Sequence, residues 1–505
     1  MQRQAAPNDR SRAVTEAEHQ KDIAALAKGG RTNVLGFVLR LLGTAPFLFI
    51  AGRLYGVEAL GRYASAIVAV ELVAQVCALG QRRGLAQRLA EEPGHPASIV
   101  ADGLVLTTLL SVAAGLLLFA FPLPMFPAGQ YTAWDRLLPL AILPNALTEI
   151  TLAALAYRYD VATTVRARSL VEPWVLTIGA SALLVFLPES GLTLAYLLAK
   201  CAAFAVTLVP LFRSYGLPQQ WNPHPLRLWK TALASTPLAV ADLVEWGTRR
   251  LDIAILGAFA SPVAVGVYYA AQQIASLPQK FKTSFEPILG PVITRSIKDK
   301  DYAGIARQVC QVGFWITAAQ LGVALALGIP GAGVMGLIGP EFVGGNGALN
   351  LLLLAEVVAA TAVVSEAALI YLARMRNLVI SVGTIVLQVG FTVGGILLVK
   401  HLGFNDKYAA AAAAGGLMLA LAFTSIAKSL VLGRILGQPV NNWRWSLVVA
   451  AIPAMAVGAA ATRFLPEWAE LLIGIPMILG VYGWVIWHKG FGPEDRVLFR
   501  KNVGG

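Results

Sequence analysis

The sequence predicts an all-α polytopic membrane protein, with about 14 transmembrane helices in two six-helix lobes followed by two C-terminal helices. Three observations carry that reading. The 505 residues are 57% hydrophobic and only 13% charged, where a soluble chain carries about a quarter charged residues. Apolar runs long enough to cross a bilayer recur from one end to the other. One pattern occurs twice: Gly52–Tyr63 (G-R-L-Y-G-V-E-A-L-G-R-Y) and Gly257–Tyr268 (G-A-F-A-S-P-V-A-V-G-V-Y), offset by 205 positions. The offset pairs Gly52 with Gly257, Ala59 with Ala264, Gly61 with Gly266 and Tyr63 with Tyr268. Beyond the segment it also pairs Ala66 with Ala271 and Leu72 with Leu277. An internal repeat in a membrane chain marks a transporter built from related halves.

In chain order, residues 1–31 are polar, with a short amphipathic stretch at 13–28 expected to lie on the membrane surface as a helix. No basic-then-apolar leader precedes the first span, so that span is expected to serve as the insertion signal and to be retained. The N-lobe covers 32–213, with spans at 32–53, 61–82, 99–121, 136–157, 169–187 and 191–213. Residues 214–231 are rich in Pro and polar side chains and read as the inter-lobe linker. The C-lobe covers 232–430, with spans at 232–257, 265–288, 310–330, 349–371, 377–399 and 408–430. Two further spans, 444–462 and 470–488, lie outside the duplication, and 489–505 forms a tail.

Loop charges set the orientation. Arg82, Arg83, Arg88, Arg158, Arg166, Arg168, Arg213, Lys280, Lys282, Arg295, Lys298, Arg374 and Arg376 fall in alternate connections. The opposite segments 122–135, 188–190, 258–264 and 331–348 contain no Lys or Arg, with Lys400 and Lys407 the main exceptions on that side. By the positive-inside rule the basic side, with both termini, is cytoplasmic. The same bias accounts for the net charge of +12, so no nucleic-acid partner is inferred. Six spans per unit is an even number, so the two halves enter the membrane in the same direction, related by an axis along its normal.

Charged residues inside the spans are the candidate functional groups, because a charge at mid-bilayer costs several kcal/mol unless it faces a bundle interior or a water-filled cavity. Span 7 carries Asp242, Glu245, Arg249 and Asp252, spaced by 3, 4 and 3. They cover an arc of about 80° on one helix face, with Arg250 at its edge. Either the stripe neutralises itself through pairs such as Glu245–Arg249, or it forms the polar wall of a substrate cavity. Arg40 interrupts span 1, and the repeat offset places it at the position of Glu245, with Thr44 at that of Arg249. Lys200 in span 6 and Glu71 in span 2 are further mid-span charges that could pair with one another. Glu149, Glu356, Glu366 and Gln388 read as interhelical hydrogen-bonding groups. Asp102 and Glu172 read as structural carboxylates near helix starts. Gly390 and Gly394 form a small-xxx-small pair expected to mark close helix packing.

Several classes are excluded. No G-x-x-x-x-G-K-[ST] motif is present, so the chain is not by itself an ATP-driven pump. Cys77, Cys201 and Cys310 fit neither a disulfide framework nor a zinc site, and the five histidines are scattered, so no metal and no cofactor is expected. The longest outer loops, 122–135 and 331–348, carry neither His nor Arg, which argues against an envelope polymerase or ligase. No catalytic residues are assigned, and the chain is read as a non-enzyme.

Three stretches carry a family resemblance: L-Y-G-V-E-A-L-G-R-Y-A-S-A-I followed by A-L-G-Q-R-R-G-L-A-Q-R-L-A, D-I-A-I-L-G-A-F-A-S-P-V-A-V-G-V-Y-Y-A-A-Q-Q-I-A-S-L-P, and G-L-I-G-P-E-F-V-G-G-N at 336–346. They resemble polysaccharide flippases of the Wzx type, in the multidrug/oligosaccharidyl-lipid/polysaccharide (MOP) exporter superfamily, over roughly 30–440. The resemblance implies an alternating-access transporter moving undecaprenyl-pyrophosphate-linked oligosaccharide across the bacterial inner membrane for O-antigen, capsule or exopolysaccharide synthesis. It implies Arg40, Arg249 and Arg250 as pyrophosphate ligands, and Lys200 is added as a fourth cavity cation. Asp242, Glu245, Asp252 and Glu71 become cavity or coupling carboxylates, with H⁺ or Na⁺ as the coupling ion. Membrane lipids, a polysaccharide polymerase and glycosyltransferases become the expected partners, and a monomer the expected state. The alternatives are a lipid II flippase and a small-molecule or cation antiporter of the same superfamily.

Overall fold

The computed structural model describes residues 39–92, 94–218, 221, 225–277, 293, 296–297, 300–492 and 495–496. The expected N-terminal surface helix, the basic residues Lys280, Lys282, Arg295 and Lys298, and the last residues of the tail lie outside these. No strand occurs among the described residues. Each of the fourteen expected spans coincides with a helix where it is described, and eleven helices among the described residues are long and apolar enough to cross a membrane.

Helix α1 covers 39–50 and continues through a π turn at Ala51–Tyr55. Gly56, at φ 88°, separates it from α2 (Val57–Cys77). A short helix, α3 (Gln81–Glu91), follows a break at Leu79 and Gly80, whose φ values are 48° and 65°. Gly80 has no room for a side chain, because it lies against Leu238 and Ala239. Helix α4 (Pro96–Ala120) starts with its proline in the first turn, where the missing N–H costs nothing. Then come α5 (Ile142–Tyr157), α6 (Val161–Phe186) and α7 (Gly191–Tyr215). Asp160 caps α6 by accepting from the Thr163 N–H at 3.0 Å.

Helix α8 (Pro225–Phe259) runs unbroken through Pro237 and is followed by α9 (Pro262–Ala275), capped by Ser261. Helices α10 (Tyr302–Gly328), α11 (Gly331–Ile338), α12 (Asn346–Leu372), α13 (Arg374–His401) and α14 (Lys407–Leu436) complete the expected C-lobe. Helices α15 (Trp445–Phe464) and α16 (Glu467–Gly490) are the two spans beyond the duplication. The 20 residues of α15 rise about 30 Å, the thickness of the hydrocarbon layer. Exposed Trp443, Trp445, Trp484 and Trp487 mark one end of this helix pair and Trp468 the other, as interfacial tryptophans do.

Contacts divide the chain into two compact units, one of Met1–Ile50, Ala69–Pro124 and Tyr131–Leu243, the other of Ala51–Val68, Met125–Gln130 and Val244–Gly505. The first contains an apolar cluster of Leu85, Leu89, Ile99, Val100, Ile150, Ala154 and Leu211. The second contains a larger one around Ile305, Val309, Ile316, Val364, Leu369 and Leu432.

Within the second unit the Gly390/Gly394 expectation is corrected. No atom lies within 4 Å of where a Cβ would sit at either residue. The close approach of α13 to α14 is made instead by Gly395 against Ala412 and by Gly416 against Thr392. The reason is helical phase: Asn377, Ser381, Thr384, Gln388 and Thr392 recur at steps of three and four, on the face opposite the two glycines. That face meets α14, where Thr384 and Thr424 hydrogen-bond at 2.5 Å and the Lys428 ammonium donates to Ser381 at 3.2 Å.

Asp495 ties the end of α16 to α10 and to the start of α15. It accepts from Arg444 at 2.7 Å, the Trp315 indole at 2.9 Å and the Gly492 N–H at 2.9 Å. Arg444 also lies over the Phe314 ring, 3.8 Å from its centroid. Burial alone would raise the Asp495 carboxyl, but these donors, Arg444 foremost, outweigh it and hold the group below the usual carboxylate range.

Candidate functional site

Helix α6 holds the centre of a charge chain in the first unit. Its regular winding is interrupted by a π turn, Arg166–Val171, immediately before Glu172. Such turns add a residue and re-aim the side chains around them. Arg168 pairs with Glu149 of α5 and reaches Glu172 at 3.7 Å. Glu172 accepts from the Lys200 ammonium of α7 at 2.7 Å. Lys200 also lies over the Tyr196 ring, 5.0 Å from its centroid. The Tyr196 hydroxyl donates to Glu71 of α2 at 3.4 Å. Arg40 of α1 adds positive potential at Glu172, and its own side chain is exposed, with no ion pair to a described residue.

Arg40, Lys200 and Glu71, three of the residues singled out from the sequence, are thus associated with one network. Lys200 is held by Glu172 rather than by Glu71. Arg168 and Tyr196 join it unforeseen; Glu149, expected as an interhelical hydrogen-bonding group, pairs with Arg168, and Glu172, expected as a structural carboxylate near a helix start, holds Lys200. The sequence signal was present in the Arg168/Glu172 and Tyr196/Lys200 spacings of four, but span 5 was expected to begin at 169. The helix begins at Val161, which places Glu172 about 16 Å along it, near the middle of a bilayer.

The charged stripe on α8 divides three ways. Asp242, fully buried, is bound by two arginines of α3, Arg83 at 2.8 Å and Arg82 at 3.3 Å. It is a tie between helices, not a cavity carboxylate. Asp252, also fully buried, accepts from the Tyr268 hydroxyl and from the Gln272 amide at 3.2 Å, joining α8 to α9. Glu245 and Arg249 pair at 3.4 Å and stay open, their side chains 38% and 56% exposed. Arg250 is half-buried beside them. The repeat counterparts of Asp252, Tyr268 and Gln272 are Phe47, Tyr63 and Ile67, so the tyrosine recurs in both copies and the carboxylate and the amide do not. Among the described residues no group of three or more His, Cys, Asp or Glu is arranged to hold a metal ion.

No family model and no curated protein matches this sequence. Solved structures do match. The lipid II flippase MurJ in an inward closed conformation aligns with 93% of this chain and 99% of its own, at 13% identity and a TM-score of 0.71. A mutant form of the Vibrio cholerae MATE transporter VcmN aligns with 82% of this chain and all of its own, at 14% identity and a TM-score of 0.54. An outward-facing multidrug resistance MATE transporter of the MOP superfamily aligns with 81% of this chain and 96% of its own, at 14% identity and a TM-score of 0.55. The chain has the MurJ–MATE fold. That agrees with the superfamily the sequence resembles, while the Wzx branch rests on the resemblance alone. On this fold the charge chain occupies α5, α6 and α7, and the open Glu245–Arg249 pair occupies α8.

Proposed function

We propose that the protein is an alternating-access flippase of the bacterial inner membrane, with both termini cytoplasmic. Its cargo is an undecaprenyl-pyrophosphate-linked oligosaccharide for surface polysaccharide synthesis. Glycosyltransferases upstream and a polymerase downstream would be its working partners. The observation that carries the reading is Arg40, an exposed guanidinium on α1 without an ion pair to a described residue, beside a network whose other cations are already matched by carboxylates. A guanidinium binds phosphate through two parallel hydrogen bonds and keeps its charge at any depth. In the resting protein Glu245 occupies Arg249. Binding of a diphosphate would compete for that guanidinium and release the carboxylate. Glu245 is then the group best placed to take up H⁺ or Na⁺, and one charge moved across 100 mV supplies about 2.3 kcal/mol. Lys200, buried and neutralised by Glu172, is better suited to positioning the network than to touching cargo.

Transport of lipid II is the second reading, favoured by a higher TM-score to MurJ than to either MATE transporter. It keeps the same pyrophosphate chemistry. Cation antiport is weakened by the engagement of Asp242 and Asp252 in ties between helices.

The test is complementation of strains lacking a surface-polysaccharide flippase or a lipid II flippase. Arg40→Ala and Arg249→Ala should each lose export at unchanged protein level, and Arg40→Lys should recover only part of it. Full export by both alanine variants in the complemented strain would refute the anion site.

A further inference from the structure

The polar face of α13 is only partly satisfied. Asn377, Ser381, Thr384, Gln388 and Thr392 span an arc of about 80° on the side that meets α14. In the middle of this face the bonds are complete. Lys428 of α14 pairs with Glu366 of α12 at 3.0 Å and donates to Ser381 at 3.2 Å. Thr384 and Thr424 share a hydrogen bond, and each hydroxyl also reaches a carbonyl one turn back on its own helix, Ile380 and Ala420, at 2.8 Å. Deeper in, the bonds stop. Gln388 and Thr392 are fully buried, and neither amide atom of Gln388 nor the Thr392 hydroxyl has a hydrogen-bond partner among the described residues. The interhelical bond expected of Gln388 is not made. At the other end, the side-chain oxygen of the buried Asn377 is likewise unpartnered. A buried polar group left in this way costs as much as a lost hydrogen bond or more.

The register of the two helices leaves room at this place. Thr384 faces Thr424, and a Cβ on Gly416 would stand 2.7 Å from the Thr392 hydroxyl. The antiparallel pairing between these two contacts sets Ala420 across from Gln388. An amide therefore faces a methyl group, one helical turn from a close contact on either side. Gln388 stands 14 residues into a helix of 28, about 21 Å from its start and near the middle of a bilayer. The Glu366 side chain, 40% exposed, lies within two turns of the end of α12. Arg374 and Arg376 mark that end as the cytoplasmic one.

We propose that the α12–α14 seam is a water site, entered beside Glu366 and reaching mid-membrane at Gln388 and Thr392. The chemistry selects water over an ion. Lys428 and Glu366 cancel, and the other side chains of the seam are neutral, so it has no net charge to hold a cation or an anion. An amide and a hydroxyl both donate and accept, as water does. A buried water makes about three hydrogen bonds, and the Gln388 oxygen, the Gln388 nitrogen and the Thr392 hydroxyl supply three. The site gives water a route into the second unit that involves neither Arg40 nor Arg249.

The experiment uses the full chain with Cys77, Cys201 and Cys310 replaced by serine, and silver ion as the probe. Silver ion reacts with thiols along passages too narrow for organic reagents. The readout is loss of maleimide labelling after the protein is denatured. Gln388→Cys and Thr392→Cys should lose labelling, as should Arg374→Cys at the exposed start of α13. Val386→Cys, at nearly the depth of Gln388 but 65% exposed on the opposite face, should keep it. Protection of both Gln388→Cys and Thr392→Cys, with Arg374→Cys reacting, would overturn the proposal. So would equal reaction at Val386→Cys. Thr384→Cys, a smaller change, replaces Gln388→Cys if that variant does not fold. A cryo-EM map of the unmodified chain in a nanodisc, sharp enough to show ordered solvent, should place water within hydrogen-bonding distance of the Gln388 amide. A closed, empty seam in that map would equally overturn the site. Neither measurement involves cargo, so failure here would leave the transport reading standing.

Discussion

Neutralising Glu172 should destabilise the protein more than removing Glu172 and Lys200 together. Lys200 has 5% of its side chain exposed and Glu172 has 21%. Breaking a buried ion pair from one side costs about 3–5 kcal/mol, because the surviving charge is left without a partner. Glu172 keeps some solvent and Arg168 keeps Glu149, so the lower end applies: about 3 kcal/mol for Glu172→Gln. Lys200→Met removes the buried charge itself and leaves Glu172 its contact with Arg168, so its cost should be about 1 kcal/mol or less. In Glu172→Gln/Lys200→Met no lysine is stranded, and the coupling between the two sites should be about 2 kcal/mol. Thermal unfolding of the four proteins in one detergent, without ligand, reads this directly. The double variant should melt above Glu172→Gln. If the two single losses simply add, the buried lysine does not depend on Glu172 and the reasoning fails.

Other outcomes follow from the same structure. Loss of export by Arg40→Ala and Arg249→Ala is the test of the transport reading. Asp495, depressed in the folded state, contributes stability that is fully present above its unfolded value of about 3.9 and is lost as pH falls through the lower folded value. Asp495→Asn should remove that acid-side decline and lower the melting temperature at neutral pH, as a pH series of melts would register. Gly416→Ala must push Thr392 of α13 away and should lower the melting temperature, whereas Gly394→Ala meets open space and should leave it unchanged or raise it slightly.

The spans were legible because the hydrocarbon layer imposes one requirement on every helix, a run of apolar residues of sufficient length. What the sequence hid followed from boundaries and partners. Span 5 begins eight residues before its expected start, and that difference moves Arg168 and Glu172 from a loop edge into the interior. Helix α3 was read as loop arginines, because the break that sets it apart is a leucine and a glycine with positive φ, which no apolar period announces. Helical phase correctly gathered Asp242, Glu245, Arg249 and Asp252 on one arc. It could not say that Asp242 meets α3 and Asp252 meets α9, because phase describes one helix and a tie requires two. Gly390 and Gly394 misled for the same reason: small residues permit an approach, and only the neighbouring helix decides whether it happens.

Gly61 lies against the Pro262 carbonyl and Gly266 against the Val57 carbonyl, and the repeat offset turns one contact into the other, which has a consequence for ancestry. A contact in which each element meets its own image is the isologous geometry of a two-fold homodimer. A half-length chain carrying one copy of this segment would already possess both sides of the joint. It could dimerise through it before any fusion of the halves. Once the halves share a chain, the glycines remain bound to each other by sterics while their surroundings are free to specialise. Phe47 and Ile67 in one copy, against Asp252 and Gln272 in the other, record where that freedom was used.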